Sequence, residues 1–280
     1  MGTILVLDRG NRSLKCALFH SGRIVKRWLD DSSSPPRALR RIVAEALREC
    51  PEPEPPAKPG AKGKRPGAGR GKAGRGRRTA LIEGAAYSSV VPEWSAAIPR
   101  ALRAAGVRRI VAAGSRIEMP FSLAVDAPDR VGPDRIAAAA GVVAYGGRDA
   151  VVIDAGSAVT VDMLAGGAFL GGAIFPGEML LLDALHGGTA ALPRIPPAGG
   201  PARVPGKDTA GAMRAGAFWG LVGAVKELVR RSLSAYAGGA AVWITGGGAE
   251  ALGPHLGIET RHEPDLVAVG LHYLYKLNEK

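Results

Sequence analysis

Two stretches decide the reading of this chain: Leu5-Val6-Leu7-Asp8-Arg9-Gly10-Asn11-Arg12-Ser13-Leu14-Lys15-Cys16-Ala17-Leu18-Phe19 and Val151-Val152-Ile153-Asp154-Ala155-Gly156-Ser157-Ala158-Val159-Thr160-Val161-Asp162. Their aspartates, Asp8 and Asp154, stand 146 positions apart. Each stretch is a short apolar run, an aspartate, a glycine two residues on, and a second apolar run. Runs this short, bounded by Gly and small polar residues, predict strands, so each stretch predicts a tight β-hairpin. A glycine at the bend lets the backbone approach a phosphate closely, with N–H groups free to point at its oxygens. The aspartate cannot bind phosphate itself, because like charges repel. It suits a cation that accompanies the phosphate. Two such hairpins predict two copies of one nucleotide-handling half, although a single Asp-x-Gly turn is ordinary hairpin chemistry.

The pattern around the hairpins repeats as well. In the first half a strand (Arg23–Trp28) and a helix (about Pro35–Arg48) follow the hairpin. Then come a strand near Ala80–Tyr87, a helix near Glu93–Ala105, a strand at Arg109–Ala112, a turn over Pro128–Asp134 and an alanine-rich helix from Arg135 to about Tyr145. In the second half strands are expected at 151–154, 158–164 and 168–174, and a helix over Glu178–Leu185. A proline- and glycine-rich loop (193–206) leads into a long helix, capped by Asp208 or Thr209, with Met213, Phe218, Leu221, Val225 and Leu228 at helical spacing. A strand at Val242–Thr245, Gly246-Gly247-Gly248, a short helix and a helix from Pro264 to Lys276 close the chain. The expected fold class is α/β, with duplicated ribonuclease-H-like domains of the actin-like ATPase type, each a mixed β-sheet flanked by helices. Residues 1–147 form one expected domain and 148–280 the other.

At 280 residues the chain is long enough for two modest domains. No apolar run reaches the roughly 18 residues of a membrane span, and Ile4–Leu7 is too short for a signal peptide. Cys16 and Cys50 are the only cysteines, too few for a disulfide framework or a zinc site, so a reducing, cytoplasmic setting is expected. The five histidines show no metal-ligand spacing and read as structural or surface residues. The net charge of +12 is concentrated: nine Lys and Arg lie between Pro55 and Ile82, with seven glycines and no acidic residue, so the rest carries about +3. Such a window cannot bury enough surface to fold. It predicts a disordered basic insertion at about 55–79, a solvated segment or one able to contact nucleic acid non-specifically. Its Gly63-Lys64 and Gly71-Lys72 are not phosphate loops, since no Ser or Thr follows either Lys.

In motif order the chain resembles the type III pantothenate kinases. Asp8, Gly10, Asn11 and Lys15 match that family's Asp-x-Gly-Asn hairpin with a Lys four residues later. Gly132-Pro133-Asp134-Arg135 matches its Gly-x-Asp-Arg element, and Asp154 to Asp162 its Asp-x-Gly-Thr-Ala-x-Thr-x-Asp block, with Ser157 for the first Thr. Gly171 to Gly177, Thr189 to Pro193, Thr245-Gly246-Gly247 and Pro264-Asp265-Leu266 follow in the family's order. The chain departs from the pattern at Arg12, where a hydroxyl residue is usual, and at Val125, where the family often places an aromatic.

The resemblance implies ATP-dependent phosphorylation of pantothenate to 4′-phosphopantothenate, the first step of coenzyme A biosynthesis. It implies Asp134 as catalytic base, a residue whose position alone would read as a helix N-cap. ATP would be held by Asp8, Arg9, Gly10, Asn11, Arg12, Ser13, Lys15 and Ser157, and pantothenate by Gly132, Pro133, Arg135 and Thr209. Asp8 would hold Mg²⁺ through water, and Asp154 a monovalent cation, K⁺ or NH₄⁺. Partners are then ATP, pantothenate and a second copy in a homodimer, with no membrane and with nucleic acid only through the basic insertion. A catalytically weak, regulatory relative is the alternative.

Overall fold

Nearly continuous burial along the first strand pair, covered on both faces, sets the architecture. The computed structural model describes residues 2–31, 34–50, 82–236 and 239–279. The basic insertion expected at 55–79 lies outside the described residues.

Strands β1 (Thr3–Arg9), β2 (Leu14–His20) and β3 (Arg23–Asp30) form an antiparallel meander, followed by α1 (Pro35–Glu49), β4 (Gly84–Ser89), α2 (Pro92–Ala104) and β5 (Arg109–Ala112). Short β6 (Ser122–Leu123) precedes α3 (Pro133–Ala144). A second meander, β7 (Ala150–Ala155), β8 (Ala158–Ala165) and β9 (Ala168–Pro176), leads to α4 (Glu178–Gly188) and α5 (Thr209–Ser234). The described chain closes with β10 (Ala241–Thr245), α6 (Ala249–Leu252), β11 (Arg261–His262) and α7 (Leu266–Leu277).

The described residues build two mixed sheets, ordered β3-β2-β1-β4-β5 and β11-β10-β7-β8-β9-β6. In each, three antiparallel strands are extended by two parallel ones, since β4 and β5 add to β1 as β10 and β11 add to β7. Topology thus repeats over five strands, and β6, parallel to β9, is an addition at the edge of the second sheet alone. Parallel additions need crossover connections, here α1, α2 and α5. Both hairpins form where expected, with Asp8 opposite Lys15 and Asp154 opposite Thr160.

Each sheet buries one face under its own helices. Leu5, Leu7, Leu18, Leu39, Ile42, Trp94 and Ile98 form one core, and Val151, Ile153, Val161, Phe218, Val225 and Ile244 another. A fully buried Leu, Ile or Val contributes about 1.5–3 kcal/mol, which anchors the hairpins on rigid layers. Between the sheets run α3 and α7. The helix α7 places Leu271 and Tyr275 on Ile4, Val6, Phe19 and Ala86 of the first sheet, while α3 contributes Ile136 and Val142 to a cluster with Val152, Leu164 and Phe169 of the second. The two helices touch backbone to backbone: a methyl group at Gly270 would strike the Ala137 carbonyl, and one at Gly141 the Leu266 carbonyl.

Several boundaries differ from expectation. The strand expected from Ala80 is observed at Gly84–Ser89, in parallel register with β1. The alanine-rich helix starts two residues earlier, at Pro133, whose fixed φ suits the first helical position. The last helix starts at Leu266, not Pro264. The two-residue strands β6 and β11 carry no periodicity and were not expected.

Candidate functional site

Both hairpins end on one cleft. Asp8 closes β1 and Asp154 closes β7, and their carboxylates lie with Lys15, Thr245 and Gly246 around a cavity of about 370 Å³. Gly246, at φ +92°, stands where a side chain would collide with the Asp154 carboxylate, so the loop after β10 can close on it. Lys15 also lines a second cavity of about 390 Å³ with Arg12, Ser13, Gly156, Ser157, Gly247 and Gly248, walled on one side by Phe218 and Leu221. Glycine and serine on one wall and apolar side chains on the other suit a ligand with a charged end and a planar apolar body.

The bends keep their tips open. Gly10 N–H bonds back to Ser13 O at 3.1 Å and Gly156 N–H to Ala158 O at 3.2 Å, and Asn11 and Arg12 stay exposed. Arg12 lies 3.9 Å from Asp183. Arg9 faces the other way: it is 5% exposed, with its guanidinium 4.4 Å from the Trp94 ring centre and Nε and Nη1 without partners. Its side chain lines neither cavity, so only its backbone faces the hairpin bend.

Asp134 sits in the first turn of α3, after Gly132 and Pro133. Gly132 occupies the N-cap, and Asp134 accepts a bond from the Arg135 N–H at 2.9 Å. The fold brings its carboxylate into the field of the hairpin aspartates. Burial pushes the Asp8 carboxyl up, the Ser88 hydroxyl opposes, Asp134 adds to the rise and Lys15 eases it. The Asp154 carboxyl is pushed up to about 7, first by burial and then by Asp8, Asp134 and Asp162, with Lys15 opposing. Four carboxylates therefore lie within electrostatic reach of one another, Asp8 and Asp154 on the first cavity and Asp134 and Asp162 lining neither.

A cation fits this donor set. The carboxylate oxygens of Asp8 and Asp154 are hard ligands, and an adjacent cation would hold Asp154 ionised. Among the described residues no group of three or more His, Cys, Asp or Glu forms a metal cage.

One site residue, Ser88, lies outside every motif, and another, Asp162, closes the second hairpin's motif without a role that the motif assigns. Ser88, 1% exposed on β4, donates to Asp8 from the strand beside it. Asp162, 2% exposed on β8, accepts from Arg135 Nε at 2.9 Å and from Nη2. Burial works against the Arg135 charge, but Asp162 outweighs it and the guanidinium is held more firmly protonated than usual. One edge of that fork, expected to serve a ligand, is thus committed within the protein. The two-residue spacing of Thr160 and Asp162 on a strand places both on one face. Thr209 lies exposed at the first turn of α5 and lines neither cavity; the cap is Asp208, accepting from Gly211 N–H at 2.6 Å. Val125 is half-buried beside Gly171.

Comparison with known proteins agrees with this geometry. The family model described as type III pantothenate kinase matches residues 70–231. The type III pantothenate kinase of Moorella thermoacetica is 33% identical over 198 residues, covering 70% of this chain and 78% of its own. That of Chlorobium luteolum is 36% identical over 208 residues, covering 72% and 77%. That of Maricaulis maris is 40% identical over 163 residues, 58% of this chain and 62% of its own. Solved structures share the fold: a Campylobacter jejuni chain described as a Baf family transcriptional activator (TM-score 0.57, 17% identity, 98% of each chain) and Acidaminococcus fermentans (R)-2-hydroxyglutaryl-CoA dehydratase component A (0.51, 14%, 100% of each). Among the described residues no helix is long and apolar enough to cross a membrane.

Proposed function

This chain belongs to the type III pantothenate kinase family, and we propose that it transfers the γ-phosphoryl group of ATP to the terminal hydroxyl of pantothenate, the first step of coenzyme A biosynthesis. The observation that carries the reading is the convergence of Asp8, Asp134 and Asp154, from three separate elements, beside a Gly- and Ser-lined cavity.

Phosphoryl transfer asks the protein for positioning, charge neutralisation and a proton acceptor. Gly10, Asn11, Arg12 and Ser13 on one hairpin and Ser157 on the other hold the phosphates, with Lys15 between them. Asp134 takes the proton of the attacking hydroxyl as the new O–P bond forms and the bond from the γ-phosphorus to the bridging oxygen breaks, releasing ADP. Gly132, Pro133 and Arg135 bind pantothenate, the free edge of the Arg135 fork facing its carboxylate. Asp8 would hold Mg²⁺ through water, and the ion would neutralise phosphate charge. Asp154 would hold K⁺ or NH₄⁺, whose charge would offset the repulsion between that carboxylate and the phosphates.

Residues 1–147 and 148–280 act as two domains closing on the substrates, and the working unit is a homodimer in which Thr209 reaches the pantothenate of the other protomer. Exposed Leu170 and Ile174 on β9, Leu180 and Leu185 on α4 and Trp219 on α5 support such a contact.

An ADP-release assay with pantothenate and Mg²⁺ tests the reading. Turnover is expected in K⁺ or NH₄⁺ and little in Na⁺ alone. No turnover above background with pantothenate, alongside activity on another alcohol of a substrate panel, would sink it. Asp154→Asn is expected to abolish the potassium response; a full response in that variant would put the ion elsewhere.

A further inference from the structure

We propose that Asp162, seated over Gly172, is the positioning residue that aims the Arg135 guanidinium at the carboxylate of the substrate. The proposal rests on the reading of Arg135 as that carboxylate's partner.

Three independent features hold the arginine. Asp162 Oδ1 accepts from both Nε and Nη2, gripping one edge of the planar group. The guanidinium carbon lies 5.4 Å from the ring centre of Phe169, a fully buried residue of β9, which holds one face. The third feature is a vacancy that the carboxylate itself fills. Gly172 is the register partner of Asp162 across β8 and β9, and a methyl group at 172 would collide with Asp162 Oδ1 and the Val161 carbonyl. Glycine at 172 is therefore what lets the carboxylate lie flat over the neighbouring strand and meet the arginine edge-on.

Stability is a poor explanation for this pair. Removing a carboxylate and a guanidinium from water costs about as much as their attraction returns, and apolar pairs of similar volume commonly serve as well or better. Specificity is a better one. The side chain of Arg135 is 15% exposed while that of Asp162 is 2%, so the pair presents one accessible cation and no accessible anion. Asp162 is too enclosed to touch substrate and acts only through the arginine. Arg135 also directly follows Asp134 in the first turn of α3. Fixing the guanidinium thereby fixes how far the bound carboxylate sits from the base, and through it where the reacting hydroxyl falls.

Steady-state kinetics of four proteins test this: the wild type, Asp162→Asn, Arg135→Ala and the double variant. For Asp162→Asn the KM for pantothenate should rise about 10- to 100-fold, the cost of a misplaced binding group. Its KM for ATP should be unchanged and its melting temperature close to wild type. Arg135→Ala should raise the same KM at least as far, and adding Asp162→Asn to it should change nothing more, since both act through one group. If Arg135→Ala leaves the KM for pantothenate unchanged, the carboxylate assignment of Arg135 fails, and this proposal with it. If Arg135→Ala raises it while Asp162→Asn does not, or if the two effects simply add, Asp162 does not position the arginine and the proposal alone is overturned. Should Asp162→Asn fail to fold, Asp162→Glu takes its place, because it keeps both charges and displaces the carboxylate by one methylene. The same selective rise in KM for pantothenate is expected there, and an unchanged KM overturns the proposal.

Discussion

Asp134 illustrates how one side chain can be read in two ways. A carboxylate in the first turn of a helix, bonded to the next N–H, is ordinary helix-end chemistry. The same carboxylate adds to the upward shifts of Asp8, Asp154 and Asp162, so its charge reaches the hairpin aspartates as well as its own helix. Asp134→Asn keeps the size and the ability to accept from the Arg135 N–H. Loss of a general base costs about 10²–10⁴-fold in rate, and the loss should fall on kcat with KM for ATP little changed. Measured kcat together with thermal melting decides between the roles. A variant that unfolds readily but keeps its specific activity would make Asp134 a helix-end residue. A folded variant that loses less than tenfold would make it a positioning group, as a loose transition state would allow.

Among the elements, α7 joins the two sheets, and its contacts are chemically varied. Asp265, just before it, takes a two-pronged bond from Arg27 of β3, at 2.8 and 2.6 Å. His272 stacks on Phe19 with ring centres 4.3 Å apart and planes inclined by 11°. Burial, with the nearby Lys276 charge, pushes the His272 imidazole down to about 4. In the unfolded chain a histidine titrates near 6.5, so between about pH 4 and 6.5 the unfolded state binds the extra proton. The contribution of His272 is therefore complete above about pH 6.5 and is lost as pH falls towards 4. Urea midpoints measured from pH 7 to pH 4.5 should fall, and His272→Phe, which keeps the stack, should flatten that fall. An equally steep fall in His272→Phe would place the acid sensitivity in other groups.

For the whole molecule, the proposed homodimer makes a prediction that neither protomer makes alone. If Thr209 completes the site of its partner, an Asp134→Asn protein and a Thr209→Glu protein should each be nearly inactive. Mixed and allowed to exchange subunits, they form dimers in which one site has the intact Asp134 of one chain and the intact Thr209 of the other. Activity should reappear on mixing, up to that of one working site per mixed dimer. No recovery, with light scattering confirming mixed dimers, would show that Thr209 serves its own chain or none. A second arm uses the exposed Ile174, which is 65% accessible. Ile174→Glu should shift the light-scattering mass towards the monomer and lower activity in step, whereas a fully active monomer would remove the need for a partner.

The duplicated hairpins, the mixed α/β class and the order of elements were all legible in the residues, because each depends on spacing within a dozen positions. Asp-x-Gly between apolar runs favours a hairpin by local geometry alone, whereas the expected helix start at Arg135 lies two residues after the observed one at Pro133. The strand beginning at Gly84 was misjudged by several residues, because its limits come from the length of β1 beside it. Asp208 rather than Thr209 caps α5, a choice between neighbours that only backbone dihedrals make. Long-range pairings were out of reach altogether. Nothing near Asp162 in the chain announces Arg135, and nothing near Ser88 announces Asp8; those bonds exist because strands and a helix from distant segments share a cleft. The crossing of α3 and α7, through Gly141 and Gly270, likewise had no local signal, since each helix packs on the sheet of the other half of the chain. Local sequence determined which turns and helices form and which residue types could handle phosphate, whereas the depth of burial, the shared field of four carboxylates and the aim of Arg135 arise only when the two halves fold against each other and exclude water between them.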